Sequence, residues 1–332
     1  MKILILRFSS FGDIVLTTPV IRILKSQDWT VHFATMEEFS GLLEANPYID
    51  KIHLLKASLH ELTSELKAEQ FDRIIDLQNN NKTKLLSARL KKKRITFRKL
   101  NFANWLLVNF KINRLPNVHL VDRYIQAIEP LGVKNDNLGL DYFIPEKDEV
   151  EDGWLPDAFQ GGFAAFVIAA RHKTRQLPLN RMIELCDRIN KPVILVGGKK
   201  EVGIGNKIEA FFKPGSMEKE VEMKQINKKT IIFNACGKFS LNQSASLISK
   251  AKWVFTHDTG MMQVAAAFKK PVYSIWGNTV PAFGTYPYRT QFTIFENKSL
   301  SCRPCSTRGY NKCPKGHFKC MKDLSFDFYL PD

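Results

Sequence analysis

The chain has 332 residues, more than one ordinary core of ~100–200 residues holds, so two α/β domains are expected. Hydrophobic residues at 44% and charged residues at 25% exclude a disordered chain. No apolar run approaches the ~20 residues of a membrane-spanning helix, and any membrane contact is expected to be peripheral. The 49 Lys and Arg against 33 Asp and Glu leave a net charge of +16, which points to a polyanionic partner: nucleic acid, anionic lipid or a phosphorylated glycan.

The opening MKILILRFSS carries only a short apolar run, has Arg7 inside it and lacks a small-residue cleavage site. It reads as a first strand and not a signal peptide, and the cytoplasm is the expected compartment. Met1–Leu6 is that strand, Ser9-Ser10-Phe11-Gly12-Asp13 is a turn, and the apolar spacing of Ile14–Leu24 predicts a helix. Strand-like runs follow at Val31–Ala34, Lys51–Leu55 and Arg73–Leu77. Between the last two, Leu59–Glu69 is helical, with Ser58 and Glu61 at capping-box spacing. Such alternation predicts a parallel sheet.

The acidic, proline-bearing stretch IPEKDEVEDGWLP marks a boundary, giving domains 1–150 and 151–332. A second series of strands is predicted at Phe163–Ala169, Val193–Val196, Thr230–Phe233, Trp253–Thr256 and Val272–Ile275. Cys186 and Cys236 sit in helix-like and strand-end contexts and are expected in the core.

Three loops have residues suited to chemistry. Asp13 follows Ser10 and Gly12 at a strand-to-helix turn, the edge where α/β proteins place ligands. A carboxylate there serves either as a helix cap or as a general base for an acceptor hydroxyl. Asp258-Thr259-Gly260, after the strand ending at Thr256, opens an apolar helix whose free N–H groups suit a diphosphate; an ordinary capped helix start is the alternative. Arg171, Lys173 and Arg175 lie after the first strand of the second series, where they either neutralise a leaving diphosphate without a catalytic metal or form a solvated basic loop. Glu201, after Gly197-Gly198, is placed to meet ribose hydroxyls or to remain a surface acid. Neither a G-x-G-x-x-G fingerprint after either first strand nor a G-x-x-x-x-G-K-[ST] loop is present, which argues against dinucleotide and P-loop enzymes.

Together these segments resemble the ADP-heptose lipopolysaccharide heptosyltransferases of glycosyltransferase family 9. The resemblance lies in RFSSFGDIVLTTPVIRILK at Arg7–Lys25, in CGKFSLNQSASLISKAKWVFTHDTGMMQVAAAFKKPVYSIWG at Cys236–Gly277, and in the basic loop ending Leu177-Pro178. It implies a GT-B fold of two Rossmann-like parallel-sheet domains facing across a cleft, and an inverting transfer from an ADP-sugar. The acceptor it implies is a lipid-linked anionic glycan at the inner face of the cytoplasmic membrane. It also implies Asp13 as general base with Ser10 and Gly12 in the acceptor loop. Donor contacts would come from Asp258, Thr259, Gly260, Glu201 and either Lys173 or Arg175, the loop register favouring Arg175. Gln263 stands where many members have His, which bears on the donor sugar. Two other readings are a GT-B transferase or epimerase using a UDP-sugar and, in a different class, a nucleic-acid-binding protein; the latter lacks an RNA-binding aromatic signature or a recognition helix.

Two features lie outside this scheme. Between Leu77 and Val121 there are eleven Lys and Arg and no Asp or Glu, surrounding the apolar run Leu100–Phe110. Such a pattern suits docking on an anionic membrane, with Phe102, Trp105 and Leu106 as core residues the alternative. Near the C-terminus, Cys302, Cys305, Cys313 and Cys320, with His317 in reserve, have a spacing compatible with structural zinc, with a disulfide staple or with free thiols.

Overall fold

The computed structural model describes residues 1–213 and 229–330. Among the described residues, eleven strands form two parallel sheets. The first holds β1 (Lys2–Leu6), β2 (Thr30–Met36), β3 (Lys51–Leu55), β4 (Arg73–Asp76) and β5 (Lys93–Thr96), in the order β3-β2-β1-β4-β5. The second holds β6 (Ala164–Val167), β7 (Val193–Val196), β8 (Ile232–Asn234), β9 (Trp253–His257), β10 (Val272–Trp276) and β11 (Phe292–Glu296), in the order β11-β10-β9-β6-β7-β8. The central strands are buried along nearly their whole length, because helices cover both faces of a parallel sheet.

The helices are α1 (Phe11–Val15), α2 (Thr18–Lys25), α3 (Leu59–Ala68), α4 (Asn81–Leu90), α5 (Asn101–Phe110), α6 (Leu120–Ile128), α7 (Leu179–Ile189), α8 (Val202–Phe212), α9 (Leu241–Lys250), α10 (Gly260–Ala267) and α11 (Lys319–Lys322). The single helix expected over Ile14–Leu24 is instead α1 and α2. Thr17 and Thr18 donate their hydroxyls to the carbonyls of Ile14 and Val15, and Pro19 has no N–H to continue the ladder. Ser58 caps α3 by accepting from the N–H groups of His60 and Glu61. Cys186 and Cys236 are buried, as expected.

One core cluster runs from Ile3, Ile5 and Phe33 of the first sheet through α2 and α6 to Ala165, Ile194 and Val254 of the second. The chain between α6 and the second sheet fastens onto α9: Tyr142 donates to Asn242 at 2.6 Å, and the Val150 N–H donates to Ser246 at 2.9 Å. Arg22 on α2, 6% exposed, bonds Asp136, Asp141 and the Gly139 carbonyl. Cβ-free contact brings the two sheets' loops together at one point: a Cβ on Gly12 would stand 2.9 Å from the Cα of Gly260, so α1 and α10 meet backbone to backbone.

Candidate active site

Both sheets reverse strand order beside a central strand, and at such a switch point neighbouring loops diverge and leave a crevice at the carboxyl ends. In the first sheet this places the Ser9–Asp13 turn after β1 beside the loop after β4. In the second it places the 171–175 loop after β6 beside Asp258–Gly260 after β9. The sequence-separated candidates therefore arrive at one place for a topological reason.

Asp13 occupies the first turn of α1, and its Oδ2 accepts from the Ser10 N–H at 3.2 Å and the Ser10 hydroxyl at 2.8 Å. The same oxygen lies 2.7 Å from Arg7 Nη2. Oδ1 accepts no hydrogen bond from the described residues. The capping contacts thus use one carboxylate oxygen and leave the other without a donor among the described residues. Burial pushes its pKa up, but Arg7 and the Ser10 donors outweigh this and hold it below the ordinary carboxylate range. Arg7 is itself 7% exposed, and it donates to the Leu77 carbonyl and, at 2.9 Å, to Tyr124. The Tyr124 phenol is pushed up to about 12 by burial, so it remains a neutral partner.

Across the contact, Asp258 is buried and its Oδ2 accepts from Thr279 at 2.8 Å and pairs with Arg175 Nη1 at 3.1 Å. Arg175 also donates to the Asp258 carbonyl at 3.1 Å and the Thr307 carbonyl at 3.3 Å. Burial raises the Asp258 pKa above the usual carboxylate value despite Arg175 and Thr279, and the negative charge of Asp13 acts in the same direction. Thr259 is the N-cap of α10 and Gly260 its first residue, and a Cβ on Gly260 would strike the Phe11 ring. Lys173 is exposed, its nearest polar partner being Gln176 at 3.4 Å. Of the basic loop, Arg175 is therefore built into the site and Lys173 stands open to an incoming anion. Arg171 is also exposed.

Glu201 accepts from the Gly198 N–H at 3.0 Å, capping its own short 3-10 turn at the end of β7. Gln263 is 3% exposed, donates to the Thr285 carbonyl at 2.7 Å and leaves its Oε1 unpartnered. It packs beside Gly12, with Cγ 3.9 Å from a Cβ built there. His257, fully buried with a pKa lowered to about 4, accepts the Leu177 N–H at 3.0 Å and so ties the basic loop to β9 as a neutral ring.

The cysteine segment braces the same loops. Arg303, 8% exposed, donates to the carbonyls of Gly277 and Thr279 at 2.5 and 2.9 Å, and the Cys305 N–H donates to the Asn278 carbonyl at 3.0 Å. Thr174 exchanges hydrogen bonds with the Tyr310 backbone, its hydroxyl donating at 3.0 Å and accepting at 2.8 Å. All four thiols are free, with Cys302 Sγ 3.8 Å from His317 Nε2 and Cys305 Sγ donating to the Cys302 carbonyl at 3.0 Å. Among the described residues the group of three metal-type donors within 4.8 Å of one another is His32, His53 and Glu69, away from this segment.

Arg7 and Thr279 are the site residues that sequence reasoning passes over. A cation closing an apolar strand is a usable signal for Arg7. Thr279 has none, since its role depends on a loop reaching Asp258 from another strand.

Residues 59–314 match the model of glycosyltransferase family 9 (heptosyltransferase). Lipopolysaccharide heptosyltransferase 1 of Campylobacter coli is 26% identical over 333 residues, covering 90% of this chain and 89% of that protein. Among solved structures, E. coli ADP-heptose LPS heptosyltransferase II is 19% identical with a TM-score of 0.66, covering 97% of this chain and 98% of its own. E. coli heptosyltransferase WaaC with ADP is 19% identical with a TM-score of 0.62, covering 89% and 93%. The GT-B architecture expected from the sequence is the one these likenesses share.

Proposed function

Because the chain belongs to glycosyltransferase family 9, we infer that it transfers a heptose from ADP-heptose to a lipid-linked, anionic core glycan of lipopolysaccharide, with inversion at the anomeric carbon. The observation that carries this reading is the meeting of Asp13 with the Arg175–Asp258 pair at two switch points joined by the Gly12–Gly260 contact. Names of relatives supply the sugar and the acceptor: the Campylobacter protein is a lipopolysaccharide heptosyltransferase, and a similar fold was solved with ADP.

The acceptor hydroxyl lies against Asp13 Oδ1 and attacks the anomeric carbon. As that C–O bond forms, the bond to the diphosphate oxygen breaks and its electron pair leaves with ADP. A carboxylate held below its usual pKa is a weak base, so the proton moves late, once the attacking oxygen has become acidic. Lys173, Arg175 and the N–H groups opening α10 neutralise the departing diphosphate, and Glu201 meets the ribose. One displacement gives one inversion. The enzyme works in the cytoplasm at the inner face of the membrane; among the described residues no helix is long and apolar enough to cross it.

Calorimetry with ADP, UDP and GDP tests the donor class. ADP is expected to bind at least about tenfold more tightly than the others, a difference of ~1.4 kcal/mol. Preference for UDP would replace this reading with a UDP-sugar enzyme.

A further inference from the structure

Helix α5 buries Leu107 and turns its aromatic residues outward: Phe102 is 71% exposed, Trp105 49% and Phe110 58%, with Ile112 beyond the helix at 46%. Phe102 stacks on Trp105 at 6.0 Å between ring centroids, and Trp105 meets Phe110 edge-on at 5.1 Å. The rings therefore form one contiguous apolar patch, which a soluble surface normally avoids unless something covers it. The alternative that Phe102 and Trp105 are core residues does not hold; Leu106 is half-buried.

Cations rim the patch. No residue of Asn101–Phe110 is ionised, but Arg98 and Lys99 precede the helix and Lys111 and Arg114 follow it. Lys82 and Lys84, in the first turn of α4, stand at the carboxyl edge of the same sheet; burial first, then the charges of Arg7 and Lys84, lower the pKa of Lys99. Lys91, Lys92 and Lys93 belong elsewhere: Lys93 opens β5 opposite Arg73, at the amino edge, so the strand's length separates them from the start of α5. The polybasic stretch read as one feature in sequence is two in space.

We propose that this face of α5 docks the protein on an anionic phospholipid bilayer, the rings entering the headgroup boundary and the exposed flanking cations Arg98 and Arg114 lying on the phosphates. A second copy of the chain is a poor occupant, because it would bring two cationic rims together with no acid between Leu77 and Val121 to offset them. Position gives the surface its use. Helix α5 begins at the same sheet edge as Asp13, and Lys111 at its end donates to the Pro304 carbonyl at 2.8 Å, within the segment that braces the donor loops. Docking there sets the mouth of the cleft beside the headgroups. This use rests on the lipid-linked acceptor proposed above, whereas the docking itself rests on the surface alone.

The full-length protein is sedimented with vesicles of phosphatidylcholine, with and without a minority of phosphatidylglycerol. Wild type is expected to bind the anionic vesicles, to ignore the neutral ones and to dissociate as salt rises. Phe102→Ser/Trp105→Ser/Phe110→Ser should lower the partition by about tenfold or more while keeping ADP binding and cooperative melting. Trp105→Ser alone, the milder variant, should lower it in the same direction. Arg98→Glu/Arg114→Glu should weaken binding and flatten its salt dependence. Unchanged binding by the folded triple variant overturns the proposal, as does wild type that ignores anionic vesicles. A wild-type dimer that the triple variant abolishes, without vesicle binding, would assign the patch to self-association instead. Failure of ADP to bind would sink the donor reading and leave the vesicle result standing.

Discussion

Replacing Gly12 by alanine tests whether the site depends on backbone contact between its halves. The added Cβ would stand 2.9 Å from Gly260 Cα and 3.5 Å from Gly260 N. Comfortable carbon contacts begin at roughly 3.5 Å, so α1 and α10 must part by about 0.6 Å or more. Neither obstacle is a side chain that turns aside. Overpacking of this kind costs ~1–3 kcal/mol, which lowers Tm by roughly 1–4 °C at this size. Asp13 is the next residue, and a misplacement approaching ~1 Å costs on the order of 100-fold in rate. Gly260→Ala is a different insult, because its Cβ meets the half-exposed Phe11 ring. Phe11→Ala should therefore rescue Gly260→Ala and leave Gly12→Ala impaired, a coupling of ~0.5–3 kcal/mol in one pair and none in the other. Thermal unfolding with steady-state transfer rates reads both effects. Wild-type Tm and rate in Gly12→Ala, or equal rescue of both variants, would refute the reasoning.

Three further outcomes are expected. Arg175→Met should weaken ADP binding more than Lys173→Met, since it also strips Asp258 of its ion pair; calorimetry showing unchanged ADP affinity in Arg175→Met contradicts this. Burial lowers the pKa of His32, His119 and His257 to about 4 each. Below the unfolded value near 6.5 the unfolded chain takes up protons that the folded one refuses, so stability should be level above about pH 6.5 and fall by several kcal/mol as pH drops towards 4. Urea melts that stay constant through that window would exclude it. Finally, burial, and beside it Cys302 and Cys313, raises the thiol pKa of Cys305 and Cys320, and we propose that these four neighbouring thiols hold a structural zinc. Protein prepared without chelator is then expected to carry one zinc, and Cys305→Ser should lose it and weaken ADP binding through the loosened Gly277–Thr279 loop. Elemental analysis finding no zinc beside four titratable thiols rules this out.

What the sequence makes legible follows from how each element is stabilised. Central strands such as Ile3–Leu6 and Val193–Val196 are apolar throughout because helices cover both faces, so they stand out. The edge strands Lys93–Thr96 and Phe292–Glu296 are missed while the edge strands Lys51–Leu55 and Ile232–Asn234 are read: each missed strand has a single neighbour and mixes polar with apolar residues, without the run of buried positions that marks a central strand. The break between α1 and α2 depends on threonine back-bonding that apolar spacing does not register. Asp13 and Asp258 are visible because each lies in a strand-turn-helix junction with its own local pattern. Thr279 reaching Asp258 and Arg303 holding the loop after β10 join residues of different loops, and no local pattern marks them; Arg7, close to Asp13 in sequence, is marked only as a cation closing an apolar strand. The same limit explains Lys91–Lys93, adjacent in sequence to the start of α5 and separated from it by a strand.

The most direct measurement is transfer by Asp13→Ala, assayed with ADP-heptose and a lipid-linked core acceptor beside ADP calorimetry on the same preparation. Asp13 is expected to serve the reaction and not the donor, so the variant should bind ADP nearly as wild type does and lose transfer by ~10²–10⁴-fold or more. Full transfer activity in a variant that still binds ADP would contradict the assignment of Asp13 as the base.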